Sequence, residues 1–265
     1  MNITAILTAT GIVAAVGLII GVFLGVAGIK FKVETDEREV AVLDALPGNN
    51  CGGCGFPGCS GLAAAIVKGE APVNGCPVGG DPVGTVIASI MGQDAAESRK
   101  MVAFVKCNGT CAVAKTDYEY VGTKDCRMAS FAPGGGPKSC NFGCMGFGTC
   151  VSVCPFDAIH VVDGVAVVDK DACKACGKCI QACPKHLIEL IPYDAGYAVA
   201  CSSHDKGPVV MKSCDVGCIG CMLCQKNCGQ EAVKVEDFLA HIDQDKCVSC
   251  GVCMEKCPKK AIKSL

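Results

Sequence analysis

The feature that most constrains this chain is a cysteine pattern that recurs through its C-terminal half. Three runs share the spacing C-x2-C-x2-C-x3-C; they comprise Cys173, Cys176, Cys179 and Cys183, then Cys218, Cys221, Cys224 and Cys228, and finally Cys247, Cys250, Cys253 and Cys257. A stretched run precedes them at Cys140, Cys144, Cys150 and Cys154. A chain that repeats such groups of thiols is expected to be held together by metal–ligand bonds.

The composition points the same way. The chain has 25 cysteines among 265 residues, an odd number that cannot pair completely into disulfides. It is also far longer than the small secreted scaffolds in which disulfides are dense. Lys and Arg total 24 against 26 Asp and Glu, a net charge of −2 without a basic block, so a nucleic-acid partner is not expected.

The N-terminus is strongly apolar. No charged residue occurs in 1–29, and the first charges, Lys30 and Lys32, follow directly. This run is longer than the ~20 residues that cross a bilayer core, and a signal peptide would carry its positive charge before a shorter apolar region. We therefore predict a single transmembrane anchor over 1–29 in the cell (inner) membrane, with the bulk of the chain on the cytoplasmic side. A cleaved signal or a buried core helix is the alternative.

The repeated runs have the spacing of [4Fe–4S] ligands. A cubane cluster takes one thiolate at each iron corner, and in two-cluster ferredoxins the last cysteine of a run binds the other cluster. Zinc is the alternative, but the third cysteine of each triplet has no role in a zinc site. The predicted quartets are Cys140, Cys144, Cys150 and Cys183; Cys173, Cys176, Cys179 and Cys154; Cys218, Cys221, Cys224 and Cys257; and Cys247, Cys250, Cys253 and Cys228.

A fifth quartet precedes the repeats, at Cys51, Cys54, Cys59 and Cys76. It opens as N-C-G-G-C-G, and its glycines let backbone N–H groups approach cluster sulfurs. Its spacing differs from that of ferredoxins, so we predict a separate single-cluster domain. Structural zinc is the alternative, because four cysteines also suit zinc.

Five cysteines remain: Cys107, Cys111, Cys126, Cys201 and Cys214. We predict that four of them bind a possible sixth cluster and that Cys111 is left over, the ligands being Cys107, Cys126, Cys201 and Cys214. The alternative is that these residues are free buried thiols, which pack as small apolar side chains.

The predicted fold class is α+β, with a transmembrane helix, a small helical domain and two tandem ferredoxin-like modules. Helices are expected at 35–46, 62–68 and 83–91, continuing through 93–105, and a hairpin with an Asp-Gly turn at 161–166. The P-G-G-G-P segment at 133–137 is expected to be a flexible joint. The predicted domains are an anchor at 1–29, a single-cluster domain at 30–106, a connector at 107–137, the first module at 138–193, a connector at 194–213 and the second module at 214–265.

An uncharged N-terminal span, then C-G-G-C-G-F-P-G-C, then paired ferredoxin motifs resembles the B subunit of the Rnf complex over the whole chain. That family belongs to an ion-translocating ferredoxin:NAD⁺ oxidoreductase. The resemblance implies a membrane-anchored subunit that accepts electrons from soluble reduced ferredoxin. It would relay them through five or six [4Fe–4S] clusters to other subunits of a complex that translocates Na⁺ or H⁺. It also implies that flavin and NAD sites lie in sister subunits, and that this chain has no catalytic residue beyond its clusters.

Two other functions stay open at this point. The chain could serve another membrane oxidoreductase, such as a hydrogenase or formate dehydrogenase, or act as a membrane-bound redox sensor. The C-G-G-C-G domain argues against the first, and the lack of a DNA-binding or signalling domain against the second. Four lysines could dock an acidic ferredoxin or simply face solvent: Lys170, Lys174, Lys178 and Lys185.

Overall fold

The computed structural model describes residues 3–30, 36–94 and 99–265. Helix α1 is Ile3–Lys30. None of the helices in these ranges is both long enough and apolar enough to cross a membrane. The prediction of a single-pass transmembrane anchor over 1–29 is therefore wrong.

Three helices form a small N-terminal domain close to where the sequence predicts them. They are α2 (Glu37–Ala45), α3 (Gly58–Val67) and α4 (Gly80–Met91). The side chain of Asp36 caps α2 by accepting a hydrogen bond from the backbone N–H of Arg38 at 2.9 Å. The helices enclose an apolar core whose most buried members are Leu62, Ile66, Ile87 and Val42. The predicted start of α2 at Thr35 lies outside the described residues.

The segment 93–105 does not continue this helical domain. Residues Met101–Val105 form strand β1, which pairs antiparallel with β4 (Ile188–Pro192). The sequence M-V-A-F-V is rich in residues that favour a buried strand, and it finds its partner far along the chain. The prediction of a helix through 105 is therefore wrong, and residues 95–98 of that prediction lie outside the described residues.

The remaining chain alternates very short helices with short strands. In chain order these elements are α5 (Cys126–Ala129), a 3-10 turn at Pro133–Gly135, α6 (Thr149–Ser152), β2 (Ile159–Val162), β3 (Val165–Val168), α7 (Lys178–Ala182), β4, β5 (Tyr197–Val199), α8 (Gly207–Ser213), α9 (Leu223–Lys226), β6 (Val233–Glu236), β7 (Leu239–Ile242), α10 (Val252–Glu255) and β8 (Ile262–Ser264). The strands pair antiparallel as β1–β4, β2–β3, β5–β8 and β6–β7. The predicted hairpin at 161–166 is confirmed, with Asp163 and Gly164 both at positive φ in its turn.

The two halves of this region repeat one arrangement. Each has an outer strand pair, β1–β4 or β5–β8, and an inner hairpin, β2–β3 or β6–β7. Each also has two short helices whose second residue is a cysteine, and its own buried cluster of apolar residues and cysteines. We refer to the halves as the first and second modules.

The P-G-G-G-P segment at 133–137 is held in place, contrary to the predicted flexible joint. Gly136 and Pro137 are buried. The carbonyl of Pro137 accepts a hydrogen bond from the N–H of Asp117 at 2.8 Å, and the carbonyl of Pro133 accepts one from the Tyr118 hydroxyl at 2.8 Å. Residues 115–137 therefore fold back as a flap, which carries α5, against the first module.

Candidate iron–sulfur sites

The fold gathers 24 of the 25 cysteines into six groups of four, which we number along the molecule. Site 1 is Cys51, Cys54, Cys59 and Cys76; site 2 is Cys154, Cys173, Cys176 and Cys179; site 3 is Cys126, Cys144, Cys150 and Cys183. The central site is Cys107, Cys140, Cys201 and Cys214; site 5 is Cys218, Cys221, Cys224 and Cys257; site 6 is Cys228, Cys247, Cys250 and Cys253. Cys111 is exposed and lies outside these groups.

The grouping is most direct at the four inner sites, because each quartet lines one small cavity. These are sites 2, 3 and 5 and the central site. At site 6, Cys228, Cys247 and Cys250 lie near enough to influence the ionisation of Cys253. At site 1, Cys54 and Cys59 do the same for Cys76, and Cys51 opens the same loop.

The donor set fits a [4Fe–4S] cluster, which takes four thiolates. In the part of the chain that the structure describes, no three His, Cys, Asp or Glu side chains lie close enough to hold a single metal ion. Burial raises the pKa of the Cys150 thiol to about 12, and the neighbouring Cys144, Cys126 and Cys183 add to the rise. Burial likewise raises the pKa of Cys201 to about 11. Such thiols need bound cations to persist as thiolates, and iron supplies the charge.

Site 3 differs from its predicted composition in one residue. The spacing predicts Cys140 beside Cys144, Cys150 and Cys183, whereas the structure places Cys126 there. Cys126 arrives on the flap as the first residue of α5, whose N-terminus Asp125 caps. Its backbone N–H donates to the hydroxyl oxygen of the buried Thr149 at 2.7 Å, and that hydroxyl donates to the Asp125 carboxylate at 3.2 Å.

The central site takes the cysteine that site 3 does not use. Cys140 lies with Cys107, Cys201 and Cys214 in one cavity. The sequence predicts Cys126 in the place that Cys140 occupies. Cys107 and Cys140 come from the first half of the repeated region, and Cys201 and Cys214 come from the second. The central site is therefore shared equally by the two modules.

The spacing of the cysteines in the sequence indicates this arrangement. The intervals of Cys140, Cys144, Cys150 and Cys154 equal those of Cys214, Cys218, Cys224 and Cys228. In that alignment Phe147 takes the place of Cys221. Gly148 and Met222 then correspond, and both adopt a left-handed backbone, with φ 76° and 61°, at the start of α6 and α9. The loop of the first module thus lacks one cysteine that the second module has.

The flap that carries Cys126 contacts Phe147. The ring of Tyr120, on the flap, lies 5.3 Å from the ring of Phe147, measured between centroids. Aromatic pairs at this separation are stabilising, so the residue that replaces the cysteine also holds the segment that brings Cys126.

Backbone contacts join consecutive sites. The N–H of Cys144 in site 3 donates to the sulfur of Cys107 in the central site at 3.4 Å. The N–H of Cys218 in site 5 donates to the sulfur of Cys201 at 3.3 Å. The sites therefore adjoin one another on both sides of the centre.

Site 1 reaches site 2 through a glycine. A Cβ added to Gly53 would lie 2.7 Å from the carbonyl oxygen of Cys176, and Cys51 is close enough to influence the ionisation of Cys176. Only a residue without a side chain permits this approach. Helix α7 contains Cys179 of site 2 and is followed by Cys183 of site 3, and α10 contains Cys253 of site 6 and is followed by Cys257 of site 5. Site 2 therefore lies beside site 3, and site 5 beside site 6. Each of the six sites thus lies next to the following one, in a continuous row that we call the file.

Three segments of the chain match iron–sulfur families. Residues 46–78 match a family described as "Putative Fe-S cluster", and residues 140–194 match the LdpA Fe-S cluster-binding domain. Residues 240–263 match the 4Fe-4S binding domain. These matches cover site 1, residues 140–194 of the first module and residues 240–263 of the second, and they support [4Fe–4S] clusters as cofactors of this chain.

The full-length relatives decide the family. The chain is 47% identical to the B subunit of the Na⁺-translocating ferredoxin:NAD⁺ oxidoreductase complex of Acetobacterium woodii over 92% of its own length and 73% of that protein. It is 43% identical to the B subunit of the ion-translocating oxidoreductase complex of Methanosarcina acetivorans, over 92% of both chains. The chain belongs to this family of B subunits. The resemblance seen in the sequence is confirmed.

A third relative of this B subunit is named for a different ion. The corresponding subunit of the proton-translocating ferredoxin:NAD⁺ oxidoreductase complex of Clostridium ljungdahlii is 42% identical over 88% of this chain and 82% of its own. The named relatives therefore include both Na⁺- and H⁺-translocating complexes. Each of the three matches covers at least 88% of this chain.

Proposed function

We propose that this B subunit is an electron-transfer subunit of an ion-translocating ferredoxin:NAD⁺ oxidoreductase complex. It accepts electrons from reduced ferredoxin and passes them to other subunits of the complex. The names of three relatives that share most of its length support this role. The ion that the complex translocates is Na⁺ or H⁺.

The observation that carries the proposal is the continuous file of six cysteine quartets. Each bound [4Fe–4S] cluster can accept and release one electron. The thiolates bind the clusters, and the apolar cavities around the inner sites limit their contact with water. Backbone N–H groups point at the sulfurs, as from Gly79 to Cys76 and from Ala103 to Cys173, both at 3.4 Å. Such hydrogen bonds stabilise negative charge on the sulfur and help to set the potential.

The proposed ligands are the six quartets as the fold groups them, with Cys126 in site 3 and Cys140 in the central site. Cys111 binds no cluster in this assignment. It packs against the hairpin turn instead, where its N–H donates to the carbonyl of Asp163 at 2.9 Å.

A reductive titration tests the function. Full-length protein purified anaerobically with its clusters is mixed with dithionite-reduced ferredoxin, and the electrons taken up per chain are counted from the bleaching of cluster absorbance. We expect up to about six electrons per chain, one for each cluster. Cys201→Ala, which removes a central ligand, should accept fewer, and Cys111→Ala should match the parent protein. Failure of reduced ferredoxin to reduce the loaded protein would overturn the proposal.

A further inference from the structure

One face of the second module, beside site 5, is open to solvent. Among the 24 cysteines of the six quartets, all of them in the described part of the chain, only Cys221 and Cys250 are exposed. Two large apolar side chains follow Cys221 and are exposed as well, Met222 by 47% and Leu223 by 41%. Site 5 therefore has a cysteine at the surface in an apolar surrounding.

The turn of the β6–β7 hairpin extends this face. The side chain of Phe238 is 47% exposed, and its carbonyl oxygen lies 3.8 Å from the sulfur of Cys218 in site 5. A Cβ added to Gly220 would lie 2.9 Å from the Cα atom of Phe238, so the hairpin turn touches the loop that leads to the exposed cysteine. We call these four residues the open face: Cys221, Met222, Leu223 and Phe238.

The flap covers the corresponding loop of the first module. Phe147 and Thr149 take the places of Cys221 and Leu223 there. The ring of Tyr120 packs on Phe147, and the Thr149 hydroxyl accepts a hydrogen bond from the backbone of the flap. Thr149 is 5% exposed, against 41% for Leu223. The second module thus leaves uncovered a surface that the first module buries.

The two hairpin turns differ in the same way. Asp163-Gly164 of the first module corresponds to Asp237-Phe238 of the second, each pair joining two short antiparallel strands. A Cβ on Gly164 would lie 2.5 Å from the sulfur of Cys111, so a side chain there would collide with the segment that covers the turn. The second module has room for a phenylalanine at the same place.

The open face retains bulky side chains where the backbone favours glycine. Met222 and Phe238 have φ 61° and 64°, in the left-handed region. Gly164 stands in the place of Phe238, and three glycines stand in the place of Met222 in the other runs, namely Gly148, Gly177 and Gly251. This conformation costs free energy for a bulky residue but not for glycine, and such strain is typical of contact sites. Two strained apolar side chains beside an exposed cysteine therefore point to a binding surface.

Charge distinguishes this surface less than its apolar side chains do. Lys259 lines the cavity of site 5, whereas Asp237 precedes Phe238, so charges of both signs border the open face. Lys174 and Lys178 line the cavity of site 2, but the four cysteines of that site are all buried or half-buried. Site 5 is therefore the more accessible to another protein.

We infer that the open face is the docking surface for reduced ferredoxin and that electrons enter the file at site 5. Stable interfaces take about 20–30 residues on each side, so a face of four residues suits a partner that binds briefly. Soluble ferredoxin must leave after each transfer, whereas a sister subunit stays bound. One electron leaves the reduced cluster of ferredoxin, which is oxidised, and reduces the cluster at site 5; no bond or proton is exchanged.

The test is the rate at which reduced ferredoxin, freed of excess dithionite, bleaches the clusters of the full-length loaded protein in a stopped-flow instrument. The variant is Met222→Gly/Phe238→Gly, which installs the residues of the first module. Glycine suits both backbone positions, so the variant should fold with full iron content. We expect its bimolecular rate constant with ferredoxin to fall about ten-fold, which corresponds to about 1.4 kcal/mol of lost contact. Dithionite alone, which needs no docking surface, should reduce the variant and the parent protein at equal rates.

Val248→Ala is the matched control, because Val248 is 62% exposed beside Cys250, the other exposed cysteine. It should leave the rate with ferredoxin unchanged. Equal rates for the double glycine variant and the parent protein would overturn the inference, and so would an equal slowing in Val248→Ala, which would indicate entry at site 6. The inference rests on the proposed function, and a parent protein that ferredoxin does not reduce at all would contradict that function instead.

Discussion

The backbone N–H of Cys218 donates a hydrogen bond to the sulfur of Cys201 at 3.3 Å. The first module repeats this contact from Cys144 to Cys107 at 3.4 Å. In both, the donor belongs to a flanking site and the acceptor to the central site. The two modules therefore meet through one shared quartet, to which each is joined in the same way.

The first prediction tests the assignment of Cys126 to site 3 and of Cys140 to the central site. Cys126→Ser should remove the cluster at site 3, and Cys140→Ser should remove the central cluster, because each deletes one of four ligands. Each variant should lose about four irons per chain and a different paramagnetic signal, and the double variant about eight. Cys111→Ser is the control and should lose none. Loss of the same signal in both single variants would disprove the assignment.

The second prediction concerns Phe147, which stands where the second module has Cys221. Placing a cysteine there should restore a complete loop, since the neighbouring Gly148 already has the backbone conformation of Met222. The double variant Cys126→Ser/Phe147→Cys should therefore recover the four irons that Cys126→Ser loses. Phe147→Ala with Cys126→Ser is the matched control and should recover none. If the cysteine variant also fails to recover iron, the proposed correspondence of the modules is wrong.

Thr149 provides a third test, because its hydroxyl accepts the N–H of Cys126 in a buried position. Thr149→Val keeps the shape but leaves that N–H unpaired, which costs about 1–3 kcal/mol. We expect a lower thermal unfolding midpoint and faster release of site 3 iron to a chelator. Thr149→Ser retains the hydroxyl and should behave like the parent protein. Equal release rates for the valine and serine variants would show that the hydrogen bond does not position Cys126.

Gly53→Ala tests the junction of sites 1 and 2. The new Cβ would meet the backbone of Cys176 at 2.7 Å, and backbone cannot rotate away as a side chain can. Overpacking of this kind costs about 1–3 kcal/mol, so the loop should shift and the two sites should separate.

We expect Gly53→Ala to retain its iron but to exchange electrons between sites 1 and 2 more slowly, measured by rapid-freeze paramagnetic resonance after partial reduction. Gly229→Ala is the control, because a Cβ there meets nothing within 4 Å. An unchanged rate in Gly53→Ala would show that electrons do not pass through this contact.

The features that the sequence predicts well are those that local spacing determines. Sites 2 and 5 each contain three cysteines from one tight run, and these line one cavity together with a fourth, distant cysteine. The three N-terminal helices follow from short-range apolar patterns and turn residues. The family follows from the order of the motifs along the chain.

The features that the sequence does not predict depend on contacts between residues far apart in the chain. Strand β1 exists because it pairs with Ile188–Pro192, which no local pattern in 93–105 indicates. Cys126 reaches site 3 only because the flap folds back onto Phe147. The run that begins at Cys140 has the same intervals as the run that begins at Cys214, and this match indicates the missing cysteine at position 147. The match is seen only when the two runs are aligned from their last cysteines. The predicted transmembrane anchor rested on the length of the uncharged apolar run and on the two lysines that follow it.

The most direct measurement of the central claim is the iron and acid-labile sulfide content per chain of protein isolated anaerobically. Six [4Fe–4S] clusters predict about 24 of each. The Cys201→Ala variant, which lacks one ligand of the central site, should give about 20. About 20 in the parent protein, with no further loss in Cys201→Ala, would contradict the central site and the continuous file that depends on it.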